Sequence, residues 1–356
     1  MNRVTVLLCL LTILVAIQVK GFGAENYNQE INMAELAVTK ADYRNADVHF
    51  DIAFALNKQP LLKDIENALV VSIYLNKNEK AFKYAYDLAS LGVGAPYFEK
   101  KFIYAKLKAE PGWNSLIRKA QNEKLRIENV NFALLSELKR MALDYDKIMA
   151  TPILNLGPES LKDLNNSKRE IEKRLLNMFN EVGYLSPYKI GASIEHDTVI
   201  TDPIFSNIIK MHYCDLASRQ FYFIDQDALG DFLLVANSQG LVDFAYLQKV
   251  LTNKKIQELG LPSIVTSGCF YYACNFNNQS FDQTNEKRRK SGLEPIGDYV
   301  EKLKFNIFNP YNAFSIGPDI NSRRPNCFVS AVPNPFPGCQ LVCAIPGCTD
   351  SRELKN

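Results

Sequence analysis

Two stretches of this chain echo each other thirty-five residues apart, and that spacing restricts the folds open to it. Ala41-Asp42-Tyr43-Arg44-Asn45-Ala46 leads into the pattern VHFDIAFAL, and Lys77-Asn78-Glu79-Lys80-Ala81 leads into FKYAYDLASL. A period of about 34 residues, with helix, turn and helix in each unit, marks stacked helical hairpins. Such hairpins bury their apolar faces only against one another, so they form arrays, and arrays present surfaces to partners. The expected fold is therefore all-α: an N-terminal helical-hairpin repeat array, then a helical domain, then an irregular tail rich in Cys, Pro and Gly.

Helical spacing runs from Ile31 to Ala120. Pro60 opens a helix across Leu61 to Tyr74, because proline is tolerated in a first turn. Lys77-Asn78 makes the turn, Glu79 to Leu91 is the partner helix, and Gly92-Val93-Gly94 with Pro96 stops it. A third pair spans Tyr97 to Lys108 and Asn114 to Gln121, around Pro111-Gly112-Trp113. Alanines at inner positions (Ala46, Ala53, Ala81, Ala85, Ala89) suit close helix packing. In these small and aromatic positions, residues 31–124 resemble the tetratricopeptide repeat, without its full consensus. The resemblance implies a concave groove that takes a protein or peptide.

The N-terminus indicates export. Met1-Asn2-Arg3 is a short positive region, and Val4 to Val19 is almost unbroken apolar sequence. Small residues follow in Gly21-Phe22-Gly23-Ala24, then the polar Glu25-Asn26. This is the plan of a secretory signal peptide, residues 1–24, cleaved after Gly23 or Ala24. The apolar run falls short of the roughly 20 residues that a membrane span needs. No later segment approaches that length, so the mature chain is expected to lack a transmembrane segment and to reside in the periplasm or outside the cell. The formal net charge of +2 gives no electrostatic reason to expect nucleic acid.

Export makes disulfides the default state of the cysteines. The candidates are Cys269, Cys274, Cys327, Cys339, Cys343 and Cys348, with Cys214 as a seventh cysteine beyond the signal peptide. Four of them fall in the Pro- and Gly-rich tail, residues 305–356, where proline prevents regular helix. Cys339-x3-Cys343-x4-Cys348 lacks the Cys-x2-Cys knuckle of common zinc sites and has no histidine nearby, so no metal is expected. An odd number leaves at least one thiol free or paired with another chain.

Residues 125–304 read as a second, helical domain. Leu134, Leu135, Leu138 and Met141 lie at helical spacing within Asn131 to Ala150, and Ile171, Leu175, Leu176 and Phe179 do so within Glu159 to Val182. Gly183 to Pro203 reads as loop, Phe205 to Tyr213 as a buried helix, and Asp225 to Gln239 with Asp243 to Leu251 as a hairpin stopped at Gly240. Ser267 to Cys274 reads as small, aromatic and extended, and a final helix covers Phe281 to Ser291 before Gly292. Four ordered motifs here resemble an uncharacterised bacterial domain family. They are LLSELKRMALDYD ending near Asp144, SLKDLNNSKREIEKRLLNMFNEVGYLSP, IIKMHYCD with His212, and DQTNEKRRKSGLEPIGDYV with Gly292-Leu293-Glu294-Pro295 to Tyr299. The chain departs from the family at Ser267-Gly268-Cys269. The resemblance implies a helical fold and a bacterial envelope setting, and no activity.

No motif identifies an enzyme or a cofactor. Gly-x-Ser-x-Gly, HExxH, P-loop and Rossmann glycine patterns are all missing from the sequence. His212, near Asp215, is the histidine best placed for acid–base work, with Asp144 and an arginine after Asn285 as candidate companions. The plainer reading of His212 is a core histidine donating to a carboxylate. Glu195-His196-Asp197 reads as a solvated turn and His49 as a packing or surface residue. Asp225-x-Asp227-x3-Asp231 reads as helix capping rather than a calcium loop, and Lys287-Arg288-Arg289-Lys290 as a solvated face. Phe270, Tyr271 and Tyr272 suit core packing. The leading expectation is an exported, protein- or peptide-binding repeat module at the bacterial envelope. The alternatives are an enzyme with its site in 131–304 around His212, and a surface protein cross-linked through its tail.

Overall fold

The computed structural model describes residues 27–122, 130–150, 158–195, 198–201, 204–205, 207–209, 228–242, 263–267, 270–274, 281–309, 313–316 and 340–344. It is an all-α protein with two small antiparallel sheets. The helices run α1 (residues 27–39), α2 (Tyr43–Leu56), α3 (Leu62–Tyr74), α4 (Asn78–Ser90) and α5 (Ala95–Lys100). A 3-10 turn (Phe102–Tyr104) leads to α6 (Ala105–Lys108), α7 (Trp113–Gln121), α8 (Phe132–Met149), α9 (Pro158–Val182) and α10 (Pro187–Ile190). Then come strands β1 (Ala192–Glu195) and β2 (Thr198–Thr201), α11 (Ala228–Ser238), β3 (Ser263–Ser267) and β4 (Phe270–Cys274). The order closes with α12 (Phe281–Lys290), α13 (Ile296–Phe308) and β5 (Gln340–Ala344).

The thirty-five-residue period is built into the backbone. Helices α2, α4 and α7 begin at Tyr43, Asn78 and Trp113, thirty-five residues apart each time. α1 and α3 cover the same register one period apart. The turns match as well. At the end of α1 the amide of Asp42 bonds to Ala37 O and that of Ala41 to Val38 O, with Ala41 at φ 55°. At the end of α3, Lys77 N bonds to Ser72 O and Asn76 N to Ile73 O, with Asn76 at φ 56°. Both are Schellman caps, in which a left-handed residue lets two amides satisfy the last carbonyls of the helix. The third turn carries Pro111, which cannot enter the left-handed region, and its bond runs instead from Trp113 N to Glu110 O.

Inner positions repeat on the same period. Tyr27, Leu62 and Tyr97 are buried, as are Ala34, Leu69 and Tyr104, and Ala46, Ala81 and Leu116. α3 packs on α4, α4 on α7, and α5 on α7.

The chain divides into two compact units. One comprises Met1–Lys58, Asn237–Gln248 and Asn253–Asn356; the other comprises Gln59–Ala236 and Lys249–Thr252. In the second unit α8 packs along α9, and Phe179 stacks on Phe232 at 4.3 Å between centroids while meeting Phe205 edge-on. Such aromatic pairs contribute about 0.5–1.5 kcal/mol beyond burial. Gly183 to Pro203 is not simply a loop: α10 and the β1–β2 hairpin lie within it, with Ser193 opposite Ile200 and Ile194 opposite Val199. The β-branched run Thr198-Val199-Ile200-Thr201 favours a pleated strand once a partner is present.

In the first unit, α12 ends in a third kind of recurrence of the same cap. Leu293 N bonds to Arg288 O and Gly292 N to Arg289 O, with Gly292 at φ 70°. The chain does not then enter its tail, because α13 follows. The Asn285 side chain accepts from Ile296 N at 2.9 Å, supplying the cap that Pro295 cannot. β3, β4 and β5 form an antiparallel sheet, as the extended character of Ser267 to Cys274 anticipates. β5 brings part of the expected irregular tail into that sheet, with Cys343 opposite Tyr271.

Candidate functional site

The third hairpin carries the most exposed large apolar side chain among the described residues, Phe102, at 91%. Its outward position follows from what its neighbours do. Glu66, on α3, is buried, and its Oε1 accepts from the hydroxyls of Tyr97 and Tyr104 and from Lys101 Nζ, with the Tyr104 bond at 3.3 Å. Lys101 Nζ also donates to the Tyr97 hydroxyl at 2.5 Å and lies 4.5 Å from that ring's centroid. Phe98 and Leu107 fill the core beside them. Burial, reinforced by the Glu66 carboxylate, pushes both tyrosine hydroxyls far above their ordinary range, so they remain donors. With positions 97, 98, 101 and 104 drawn inward, position 102 turns out.

The repeat register shows why this exposure matters. The residues one and two periods earlier, Asn67 and Asn32, are buried, at 0% and 8%. Val70 and Val71 are likewise buried, while Ala105 and Lys106, their counterparts in the third hairpin, are exposed. Residues 102, 105 and 106 share one face at helical spacing. The third hairpin therefore displays a face that the second one covers. Lys100 and Lys106 flank Phe102, and among the described residues neither has an acidic partner. Further along, Lys108 lies over the Trp113 ring at 5.8 Å and Lys119 over Tyr86 at 5.3 Å. Burial raises the Asp87 pKa above the ordinary value, outweighing the opposing pull of the Lys83 and Lys119 charges.

The residues singled out by sequence fall in several places. Asp144, on α8, accepts from Arg174 Nη1 at 2.8 Å and from Lys147 Nζ at 3.2 Å. Arg174, on α9, also donates through Nε and Nη2 to Glu137. These bonds hold the Asp144 carboxyl below the usual carboxylate range, the Arg174 bond contributing most. Asp144 thus ties α8 to α9. His212 lies outside the described residues, as do His196, Asp197, Asp225, Asp227, Cys214, Cys269, Cys327, Cys339 and Cys348. Cys274 stands opposite Ser263 on the β3–β4 ladder. The signal-peptide residues 1–24 are outside the described range too. His49 pairs with Glu30 at 2.6 Å, and Asp231 lies in the first turn of α11.

The basic run is a solvated face only in part. Arg289 and Lys290 are exposed and pair with Glu286, whereas Arg288 is 0% exposed. Arg288 Nε donates to Glu294 O at 2.6 Å, and its guanidinium lies 5.3 Å from the Tyr299 ring centroid. The motif Gly292-Leu293-Glu294-Pro295 to Tyr299 is thus the wrapping around one buried arginine, which helical spacing alone did not separate from its exposed neighbours. Arg288 belongs to the first unit and Asp144 to the second.

The first unit holds another buried charge pair, Lys302 Nζ to Glu35 Oε2 at 2.5 Å, with the two side chains 1% and 3% exposed. Beside it Asn32 Nδ2 donates to Asp298 Oδ2 at 2.7 Å. Sequence reading missed this cluster, since lysine and glutamate on amphipathic helices are expected at the surface. Among the described residues no cluster of His, Cys, Asp and Glu is arranged to hold a metal ion, and no helix is long and apolar enough to cross a membrane. No protein-family model matches the chain, and neither curated proteins nor solved structures provide a match.

Proposed function

We propose that this protein is an exported, tetratricopeptide-like helical-repeat module that binds a protein or peptide at the bacterial cell envelope. The observation that carries this reading is the thirty-five-residue recurrence of helix, turn and helix, three times over, ending in a hairpin whose stacking face is open at Phe102. Repeat arrays form extended surfaces, and a terminal repeat with an apolar outer residue is unusual because terminal repeats ordinarily carry polar faces for solubility. The signal-like N-terminus supports export. Asp144 ties α8 to α9 through Arg174, a structural use that a binding module accommodates.

The test is site-specific photo-crosslinking in cells that make the protein. A crosslinking residue at position 102 is expected to give adducts of discrete mass, while one at exposed position 140 on α8 gives none. Adducts absent at 102, or equal at both positions, would overturn the reading.

A further inference from the structure

The end of the repeat array has a chemistry of its own. Between Ala95 and Gln121 the chain carries six cations (Lys100, Lys101, Lys106, Lys108, Arg118, Lys119) against two carboxylates, Glu99 and Glu110. That is a net +4 in 27 residues, when the entire chain carries only +2, so the remainder is net −2. Lys101 is committed inward to Glu66. Lys100 and Lys106 are exposed on either side of Phe102, and Ala105 lies next to it on the same face.

This face is the one that the preceding repeat buries, at Asn67, Val70 and Val71. In the first hairpin the counterparts of Phe102 and Ala105, Asn32 and Glu35, meet helix α13 through Asp298 and Lys302, so a protein helix is the kind of object that this position accommodates. The small side chain of Ala105 allows close approach, Phe102 supplies an apolar anchor, and the two lysines supply a charged rim. Interfaces commonly join an aromatic anchor to a rim of this kind, with the charges setting partner choice.

We propose that this open end of the array is capped by an acidic amphipathic helix of a partner protein. Its apolar stripe would cover Phe102 and Ala105, and its carboxylates would face Lys100 and Lys106. The proposal rests on the binding reading above and adds the partner's chemistry and the place where it docks. It lies on the third hairpin, the last of the three in the chain. An anionic membrane is the less suitable occupant, because membrane adsorption scales with buried apolar area and this face offers one ring and one methyl group.

The test uses the protein purified in its exported form and a fluorescein-labelled amphipathic peptide of about 18 residues, with leucines at helical spacing and glutamates between them. A counterpart with glutamine for glutamate, and vesicles of phosphatidylglycerol, complete the set of probes. At about 50 mM salt, where charge pairs are least screened, the Glu peptide should bind at least tenfold more tightly than the Gln peptide. Lys100→Glu with Lys106→Glu should abolish that preference, and Phe102→Ser should weaken both peptides by about tenfold. Lys290→Glu, on α12, should change neither. All these positions are exposed, so folding is checked simply by helical circular dichroism.

Equal binding of the two peptides, or indifference to the double substitution, would overturn the proposal. So would vesicle binding without peptide binding, or self-association that the same substitutions abolish. Crosslinked adducts at position 102 separate the two levels. If they persist while the acidic peptide fails, only the partner's chemistry is wrong; if they too are absent, the binding reading falls with it.

Discussion

Single residues fix local geometry and packing in this fold, and two of them give sharp tests. Gly292 sits at φ 70°, and a Cβ placed there would lie 2.6 Å from Ser238 Cα. Left-handed backbone alone costs an ordinary residue about 1–2 kcal/mol, and the clash adds to it. Gly292→Ala should therefore lower the stability of the first unit by at least about 2 kcal/mol, read as a drop in the urea midpoint. Glu66 is the second case. Glu66→Leu strands two tyrosine hydroxyls and an ammonium group around an apolar side chain, at a cost of about 3–5 kcal/mol. It should also raise the protease sensitivity of residues 97–104, which an unchanged digestion pattern would contradict. Gly292 is legible in the sequence as a helix stop, and Glu66 is not. A glycine at a helix end advertises its backbone, whereas a buried glutamate looks like a surface one until its three donors are seen.

Between elements, ion pairs decide which helices stay together, and exposure sets how much each contributes. Lys302 and Glu35 join α13 to α1 with almost no solvent contact. Lys302→Met should destabilise by about 3–5 kcal/mol by taking the ammonium group away from a buried carboxylate, while adding Glu35→Leu should restore most of the loss. A double variant no better than the single one would refute that account. Asp144 and Arg174 tie α8 to α9 at the half-exposed surface, so their contribution is at most about 1 kcal/mol. Its pH dependence has a fixed sign. The Asp144 pKa is depressed below its ordinary 3.8, so its stabilisation is complete above that value and lost as pH falls through the lower, folded one. Asp144→Asn should flatten the part of the acid-unfolding curve below about pH 4 and leave stability at neutral pH within about 1 kcal/mol. Helix periodicity in sequence located both α8 and α9, but it could not say which carboxylate on α8 meets which arginine on α9. That pairing depends on how the two ridges interlock.

At the scale of the whole molecule, Phe102 separates folding from recognition. Phe102→Ser should leave thermal stability within about 0.5 kcal/mol, as exposed substitutions generally do, and should remove the adducts formed by a crosslinking residue at exposed position 105 on the same face. A large loss of stability would mean that the ring is packed. Local sequence determined the repeat: the starts of α2, α4 and α7 fall thirty-five residues apart, the left-handed turn residue recurs from Ala41 to Asn76, and the buried Ala46 recurs as Ala81. It also determined the helical ends at Gly240 and Gly292, because a left-handed cap is a property of one residue and its neighbours. What tertiary structure alone decided is which charged residues face inward. Arg288 and Arg289 are adjacent and chemically alike, yet one is enclosed by Glu294 and Tyr299 and the other meets water. Asn67 and Phe102 occupy one repeat position, yet the asparagine is buried and the phenylalanine exposed. Burial is a relation to neighbours distant in sequence, and no local pattern contains it.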